Sequence, residues 1–218
     1  MQITIWSDFV CPFCYIGTTH LEEALENFEH AGEVEIEYKS FQLEPGATYE
    51  PDKTYLQAMV DRKKASEAQV QQMIDQVSEM ASNAGLNYNF DEMKLTDTFP
   101  AHRVFQYAKE ERKGIKYFDK LYQAYFTDGE LISDAEVLTR IALEIGLEEE
   151  RVKEILEDEK EYDKEVVQDI YQASQVGAQG VPFFVFNNKY GVSGAQLVET
   201  FEQVLTQVYD EFAEDTQQ

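Results

Sequence analysis

The chain has 218 residues, 43% hydrophobic, 13% aromatic and 28% charged, which is the profile of an ordered globular protein with one substantial core and excludes a disordered chain. Its 43 acidic against 18 basic residues give a formal net charge of -25, a field that repels phosphate backbones and anionic headgroups, so neither nucleic acid nor a membrane surface is an expected partner. No segment approaches the roughly 20 apolar residues of a membrane span. The N-terminal MQITIWSDFV has no basic leader, apolar run or small-residue cleavage site, so the expected location is cytoplasmic.

Residues 2–6, QITIW, alternate polar and apolar around β-branched Ile3, Thr4 and Ile5 and predict a short strand. Both cysteines of the chain, Cys11 and Cys14, follow in the stretch WSDFVCPFCYIG. From Cys11 onward Tyr15, Ile16, Leu21, Ala24, Leu25 and Phe28 recur at helical spacing. Pro12 suits a first turn, where its missing N–H costs nothing, and Gly32 is the expected end. Cys11 then stands at a helix N-terminus and Cys14 one turn inside. The segment VEIEYKSFQL at 34–43 alternates Val34, Ile36 and Tyr38 against Glu35, Glu37 and Lys39, a half-buried strand that completes a β-α-β unit with a right-handed crossover.

The loop LEPGATYEPDKT marks a boundary with its glycine and two prolines, and from 46 to 178 the pattern reads as helix after helix. Ser66 and Gln69 form a capping box before a face of Val70, Met73, Val77, Met80 and Ala84, closed by Gly85. A further helix starts at Thr98 with Pro100 in its first turn and stops at Gly114. It is followed by the aromatic stripe Tyr117, Phe118, Leu121, Tyr122 and Tyr125, read as mostly core. A second capping box, Ser133 with Glu136, opens the next helix, and 148–177 holds two more. At 181 the period returns to that of strands: VPFFVFNNKYGVSG reads as a hairpin turning at Asn187-Asn188. An amphipathic helix follows through Leu197, Phe201, Val204, Leu205 and Val208, and the terminal EDTQQ reads as frayed.

The order β-α-β, helical block, β-β-α predicts an α/β thioredoxin-like fold with a large all-helical insertion. The thioredoxin-like domain is discontinuous, 1–45 and 179–218, around an insertion domain at 46–178.

A cysteine pair one turn apart admits a structural disulfide, half of a metal site, a redox dithiol or coincidence. A zinc site usually needs four ligands, and the three histidines, His20, His30 and His102, are scattered, so no metal is expected. In a reducing compartment a C-x-x-C that follows a strand and opens a helix points to redox catalysis. The nucleophile of disulfide exchange is a thiolate. The unpaired N–H groups and dipole of a helix start favour an anion at Cys11, while Cys14, on the same face, is placed to attack a mixed disulfide at Cys11. Cys11 is thus the expected nucleophile and Cys14 the resolving residue. Pro12 stiffens the link and Phe13 adds bulk without charge, which predicts an intermediate reduction potential.

The second element is QGVPFF, where Pro182 begins a strand beside the cysteine helix. A cis bond after Val181 would expose backbone for an extended substrate to pair with. Val181, Pro182, Pro12 and Phe13 are therefore candidate substrate-binding residues. His102, early in its helix, is a weaker candidate that either faces the cysteines as a proton carrier or is a surface histidine. His20 and His30 are assigned to the helix surface, and Trp6 to packing.

The stretches IWSDFVCPFCYIG at 5–17, TDTFPAHRVFQYA at 96–108 and QGVPFFVFNNKYGVSGAQ at 179–196 resemble the DsbA family of thioredoxin-fold thiol-disulfide oxidoreductases, most closely its soluble FrnE-like members. The resemblance implies dithiol chemistry at Cys11 and Cys14 opposite a cis-proline loop at Val181 and Pro182, with no cofactor beyond the redox-active disulfide. It implies protein or small-molecule thiols and disulfides as partners, with glutathione as a possible redox partner. Secreted oxidants of the family carry a leader and a histidine between the cysteines; Phe13 stands there here. A neighbouring branch, the kappa-class glutathione transferases and 2-hydroxychromene-2-carboxylate isomerases, has serine where Cys11 stands. A glutathione-dependent enzyme of that type and a non-catalytic chaperone-like binding protein are the alternative readings.

Overall fold

The computed structural model describes residues 1–216, and side chains through residue 212. Four strands, β1 (Gln2–Ser7), β2 (Glu35–Ser40), β3 (Phe183–Phe186) and β4 (Tyr190–Ser193), form one mixed sheet in the order β2-β1-β3-β4. β1 and β2 run parallel, Gln2 opposite Glu35 through Ser7 opposite Ser40. β3 is antiparallel to β1 with Ile3 opposite Phe186, and β4 antiparallel to β3. Two chain ends far apart in sequence therefore meet in one ladder. This is the expected α/β thioredoxin-like fold, and every regular element between β2 and β3 is helical.

The period of two along β1 and β3 sends residues to two different covers. Ile3, Ile5, Phe184 and Phe186, all 0% exposed, join the core that holds Leu21 and Ala24 of α1 (Pro12–Glu26) and Phe201, Leu205 and Val208 of α9 (Val198–Thr216). Each such large side chain contributes about 1.5–3 kcal/mol on burial. Trp6, Phe183 and Val185 point the other way, onto Ala173 of α8 (Asp163–Gln175). The remaining helices are α2 (Tyr55–Lys63), α3 (Glu67–Asn83), α4 (Phe99–Glu110), α5 (Gly114–Tyr122), α6 (Ala135–Glu144) and α7 (Glu149–Glu157). Their core is continuous with that of the sheet: Tyr38 of β2 stacks on Phe118 of α5 at 4.5 Å between ring centroids.

Several boundaries differ from the sequence reading. α1 ends at Glu26 and not at Gly32, because the chain turns at Asn27 and Phe28 packs edge-on against Tyr209. β2 stops at Ser40, where the Asp8 carboxylate accepts the Leu43 N–H at 2.8 Å and draws the chain off the sheet. α2 follows the loop LEPGATYEPDKT directly, where the sequence reading named no helix; Thr54 and Gln57 cap it reciprocally, as Ser66 and Gln69 cap α3. At α6 the cap is Asp134 rather than Ser133, its carboxylate accepting the Glu136 N–H at 2.7 Å. The aromatic stripe continues past α5 in a π-helical turn, Gln123–Thr127. Asn187 and Asn188 both adopt positive φ, 47° and 55°, the backbone that a two-residue hairpin turn needs. α9 persists through Thr216, so most of EDTQQ is helical rather than frayed; 217 and 218 lie outside the described residues.

Candidate active site

The sequence Asp-Phe-Val-Cys-Pro folds into a tight turn between β1 and α1: the Cys11 N–H donates to the Asp8 carbonyl at 3.1 Å, and the Cys14 N–H to the Cys11 carbonyl at 3.0 Å. Cys11 is the N-cap residue in extended conformation, with Pro12 at the helix start. The Tyr88 hydroxyl donates to the Pro12 carbonyl at 2.7 Å and ties this first turn to the helical region. Both cysteines are free thiols; Cys11 is 2% and Cys14 0% exposed. Burial, and then the adjacent Cys11, push the Cys14 thiol well above its usual range, opposed by hydrogen bonds from the Ser7 side chain and the Asp8 backbone.

Opposite lies the loop before β3. Cys11 Sγ is 3.5 Å from the Val181 carbonyl oxygen, and the Val181-Pro182 peptide is cis. The Gly194 N–H holds the Pro182 carbonyl at 2.9 Å from the end of β4. Gly17 permits the close approach of α1: a Cβ there would sit 3.2 Å from both Pro182 Cγ and Ala195 Cα. At the mouth of Cys11 a groove of about 320 Å³ opens toward α2 and α3, lined by Phe13, Leu43, Tyr55, Met59, Met73 and Ile74 with Glu44, Arg62 and Lys63 as its charged members. Glu44 and Arg62 form an ion pair. Phe13, 39% exposed, stands at the rim, and Tyr125 of the stripe lines the same groove.

The structure thus brings together Cys11, Pro12, Phe13 and Val181 at one groove, with Cys14 and Pro182 directly behind. His102 is neither a surface histidine nor open to the groove. It is 0% exposed, its Nε2–H donates to Asp8 Oδ1 at 3.2 Å, and its ring lies 4.4 Å from that of Phe9. Because Asp8 is also 0% exposed and its carbonyl holds the Cys11 N–H, His102 braces the cysteine turn from beneath. His20 contacts the Gln196 carbonyl at 2.8 Å, and His30 lies beyond α1, stacked on Tyr209 at 3.9 Å. Ser7, Asp8, Gly17 and Tyr122 were missed as site residues. Proximity of Ser7 and Asp8 to the C-x-x-C was the only sequence signal, and Tyr122 was indistinguishable from core.

The chain matches the model of the DSBA-like thioredoxin domain over residues 2–206. It is 29% identical over 211 residues to the uncharacterized protein YwbO of Bacillus subtilis, covering 94% of this chain and 96% of that protein. A probable DsbA oxidoreductase from Streptomyces coelicolor superposes with TM-score 0.90 at 38% identity, over 97% of this chain and 91% of the other. The cytosolic disulfide reductase DsbM of Pseudomonas aeruginosa, solved with GSH, shares the fold with TM-score 0.64 at 15% identity, over 95% of this chain and 98% of the other. With the paired cysteines at the start of α1 and a family match spanning nearly the whole chain, the protein belongs to the DSBA-like thioredoxin domain family.

Proposed function

We propose that the protein is a thiol-disulfide oxidoreductase that exchanges disulfides in protein or small-thiol substrates through Cys11 and Cys14. The observation that carries this reading is the placement of Cys11 at a helix start, facing the Val181 carbonyl and opening on an apolar groove, with Cys14 one turn behind it. Cys11 Sγ attacks a substrate disulfide, forming a mixed disulfide and releasing one substrate thiol. Cys14 Sγ then displaces the second, leaving the Cys11–Cys14 disulfide, and the reverse sequence oxidises a substrate. Pro12, Phe13, Val181 and Pro182 border the position of the substrate sulfur. The thioredoxin-like part, 1–45 and 179–218, supplies the dithiol, and the helical insertion, 46–178, walls the groove.

A cytoplasmic setting with glutathione as redox partner fits the reading, since the similarly folded DsbM is a cytosolic reductase solved with GSH. The sulfur of Cys11 favours disulfide exchange over a kappa-type transferase or isomerase, whose serine at that place cannot form a mixed disulfide.

The test is the reduction potential of the pair in glutathione buffers, with insulin reduction assayed on the same sample. We expect a reversible couple, turnover abolished in Cys11→Ser, and mixed disulfides trapped in Cys14→Ser. Turnover unaffected by Cys11→Ser would overturn the proposal.

A further inference from the structure

Disulfide exchange, on the reading above, needs the Cys11 sulfur held at a fixed place relative to the groove that receives the substrate. The two belong to different segments: the sulfur to the turn between β1 and α1, one groove wall to Leu43 and Glu44 after β2. Asp8 bonds to both. Its carbonyl accepts the Cys11 N–H at 3.1 Å, and its Oδ2 accepts the Leu43 N–H at 2.8 Å. The remaining oxygen, Oδ1, accepts from His102 Nε2 of α4 at 3.2 Å. Asp8 and His102 are both 0% exposed, so bulk water does not compete for these bonds. The His102 ring is held by Phe9 at 4.4 Å and Phe118 at 6.4 Å between centroids, and its backbone N–H by the Thr98 carbonyl at 2.9 Å. A carboxylate only accepts, so the ring hydrogen lies on Nε2, while Nδ1 has no hydrogen-bond partner among the described residues.

We propose that Asp8 and His102 are positioning residues of the exchange: Asp8 sets Cys11 in register with the groove, and His102 fixes the carboxylate that does so. His102 then works as a hydrogen-bond donor and not as a proton carrier. Without that donor, Oδ1 is buried and unpaired; the carboxylate swings toward solvent and its bond to Leu43 is lost. Misplacing reacting groups by about 1 Å can cost about a hundredfold in rate. The bond-making step is the same throughout: Cys11 Sγ attacks one substrate sulfur, and the other departs with the electron pair and takes a proton from solvent. The pattern of donors and acceptors makes the proposal specific. In Asp8→Asn the amide offers a single oxygen; with Leu43 on it, the amide hydrogens meet the Nε2 hydrogen, and moving that hydrogen to Nδ1 strands it. His102→Gln reaches as far from the backbone and presents either a nitrogen or an oxygen, so it suits Asp8 and also Asp8→Asn.

The test uses Cys14→Ser protein, in which the aromatic disulfide 5,5′-dithiobis(2-nitrobenzoate) releases one coloured thiol when Cys11 attacks. His102→Leu and Asp8→Asn should each slow that release about tenfold or more. His102→Gln should restore most of the rate, and adding it to Asp8→Asn should make the doubly altered protein faster than Asp8→Asn alone. Alkylation by iodoacetamide, too small to need the groove, should change less than about twofold in the His102 variants. Urea midpoints taken alongside set conditions in which every variant is folded. If His102→Leu folds poorly, Asp8→Asn and its rescue by His102→Gln carry the test. Release at the parent rate in both His102→Leu and Asp8→Asn overturns the proposal. So does His102→Gln as slow as His102→Leu, a doubly altered protein no faster than Asp8→Asn, or alkylation slowed as much as disulfide attack. Failure of the dithiol reading looks different: the unaltered protein, with both cysteines, then releases no second thiol.

Discussion

Replacing Asp169 with alanine tests how the helical insertion is held against the sheet. The residue lies on α8, its side chain 6% exposed, and its Oδ2 accepts the Ser40 N–H of β2 at 3.0 Å and the Gln106 amide of α4 at 2.8 Å. Lys39 and Lys109 approach the same carboxylate at 3.4 and 3.5 Å. Removal strands two donors, each at about 1–3 kcal/mol. The lysines suffer less: Lys39 keeps the Gln172 oxygen at 2.7 Å, and Lys109 is 32% exposed and reaches water. The expected loss is therefore about 3–5 kcal/mol, a large part of a typical folding free energy of about 5–15 kcal/mol. Urea unfolding read by tryptophan fluorescence measures it. Trp6 is the sole tryptophan, and its indole N–H donates to the Asp169 backbone carbonyl at 2.8 Å, a bond that alanine retains. Asp169→Asn, which keeps one acceptor oxygen, should fall between the two. A loss below about 1 kcal/mol for Asp169→Ala would show that the stranded donors find other partners and would refute the reasoning.

Two other outcomes follow from the site. Gly17→Val forces side-chain bulk into the 3.2 Å gap to Pro182 and Ala195 and should cost about 1–3 kcal/mol by urea midpoint while lowering oxidoreductase turnover; an unchanged midpoint would contradict the close packing. Partial burial in the seam between α1 and α5 raises the carboxyl of Glu22 to about 7 and that of Asp119 to about 6, the Asp119 charge adding to the shift of Glu22. The folded state then binds more protons than the unfolded one between about pH 4.5 and 7, so stability declines as pH rises through that window. Both side chains keep much of their surface in solvent, and screening holds the effect to under about 1 kcal/mol. Melting temperatures from pH 5 to 8 should decline less in Glu22→Gln than in the parent; parallel curves would count against the seam.

Local chemistry was readable wherever it is carried by neighbours in the chain. The strand QITIW, the Ser66–Gln69 box and the Asn187-Asn188 turn each rest on contacts within a few residues, and each is found in place. The same logic applies to Thr54 and Gln57, whose capping box the proline-rich stretch around it obscured. Ser133 and Asp134 are both good caps, and the sequence offers no way to rank them; backbone geometry chose the aspartate.

The histidine and serine of the site show where such reading ends. A histidine early in a helix has the same sequence signature whether it faces water or a buried carboxylate, and the meeting of His102 with Asp8 spans 94 residues of chain. The Ser7–Tyr122 contact spans 115 residues.

By itself the sequence determined the fold class, the pairing of Cys11 with Cys14 at a helix start, and the hairpin that follows Pro182, because side-chain periodicity and one-turn spacing are properties of adjacent residues. Only the tertiary structure decided what surrounds the two sulfurs: the seal over Cys14, the brace beneath Asp8, the Tyr122 hydroxyl that reaches Ser7 from α5 and the apolar groove beside Cys11. The physical reason is that burial and long-range hydrogen bonding arise where segments distant in the chain close on one another, and no local pattern records which partner will arrive.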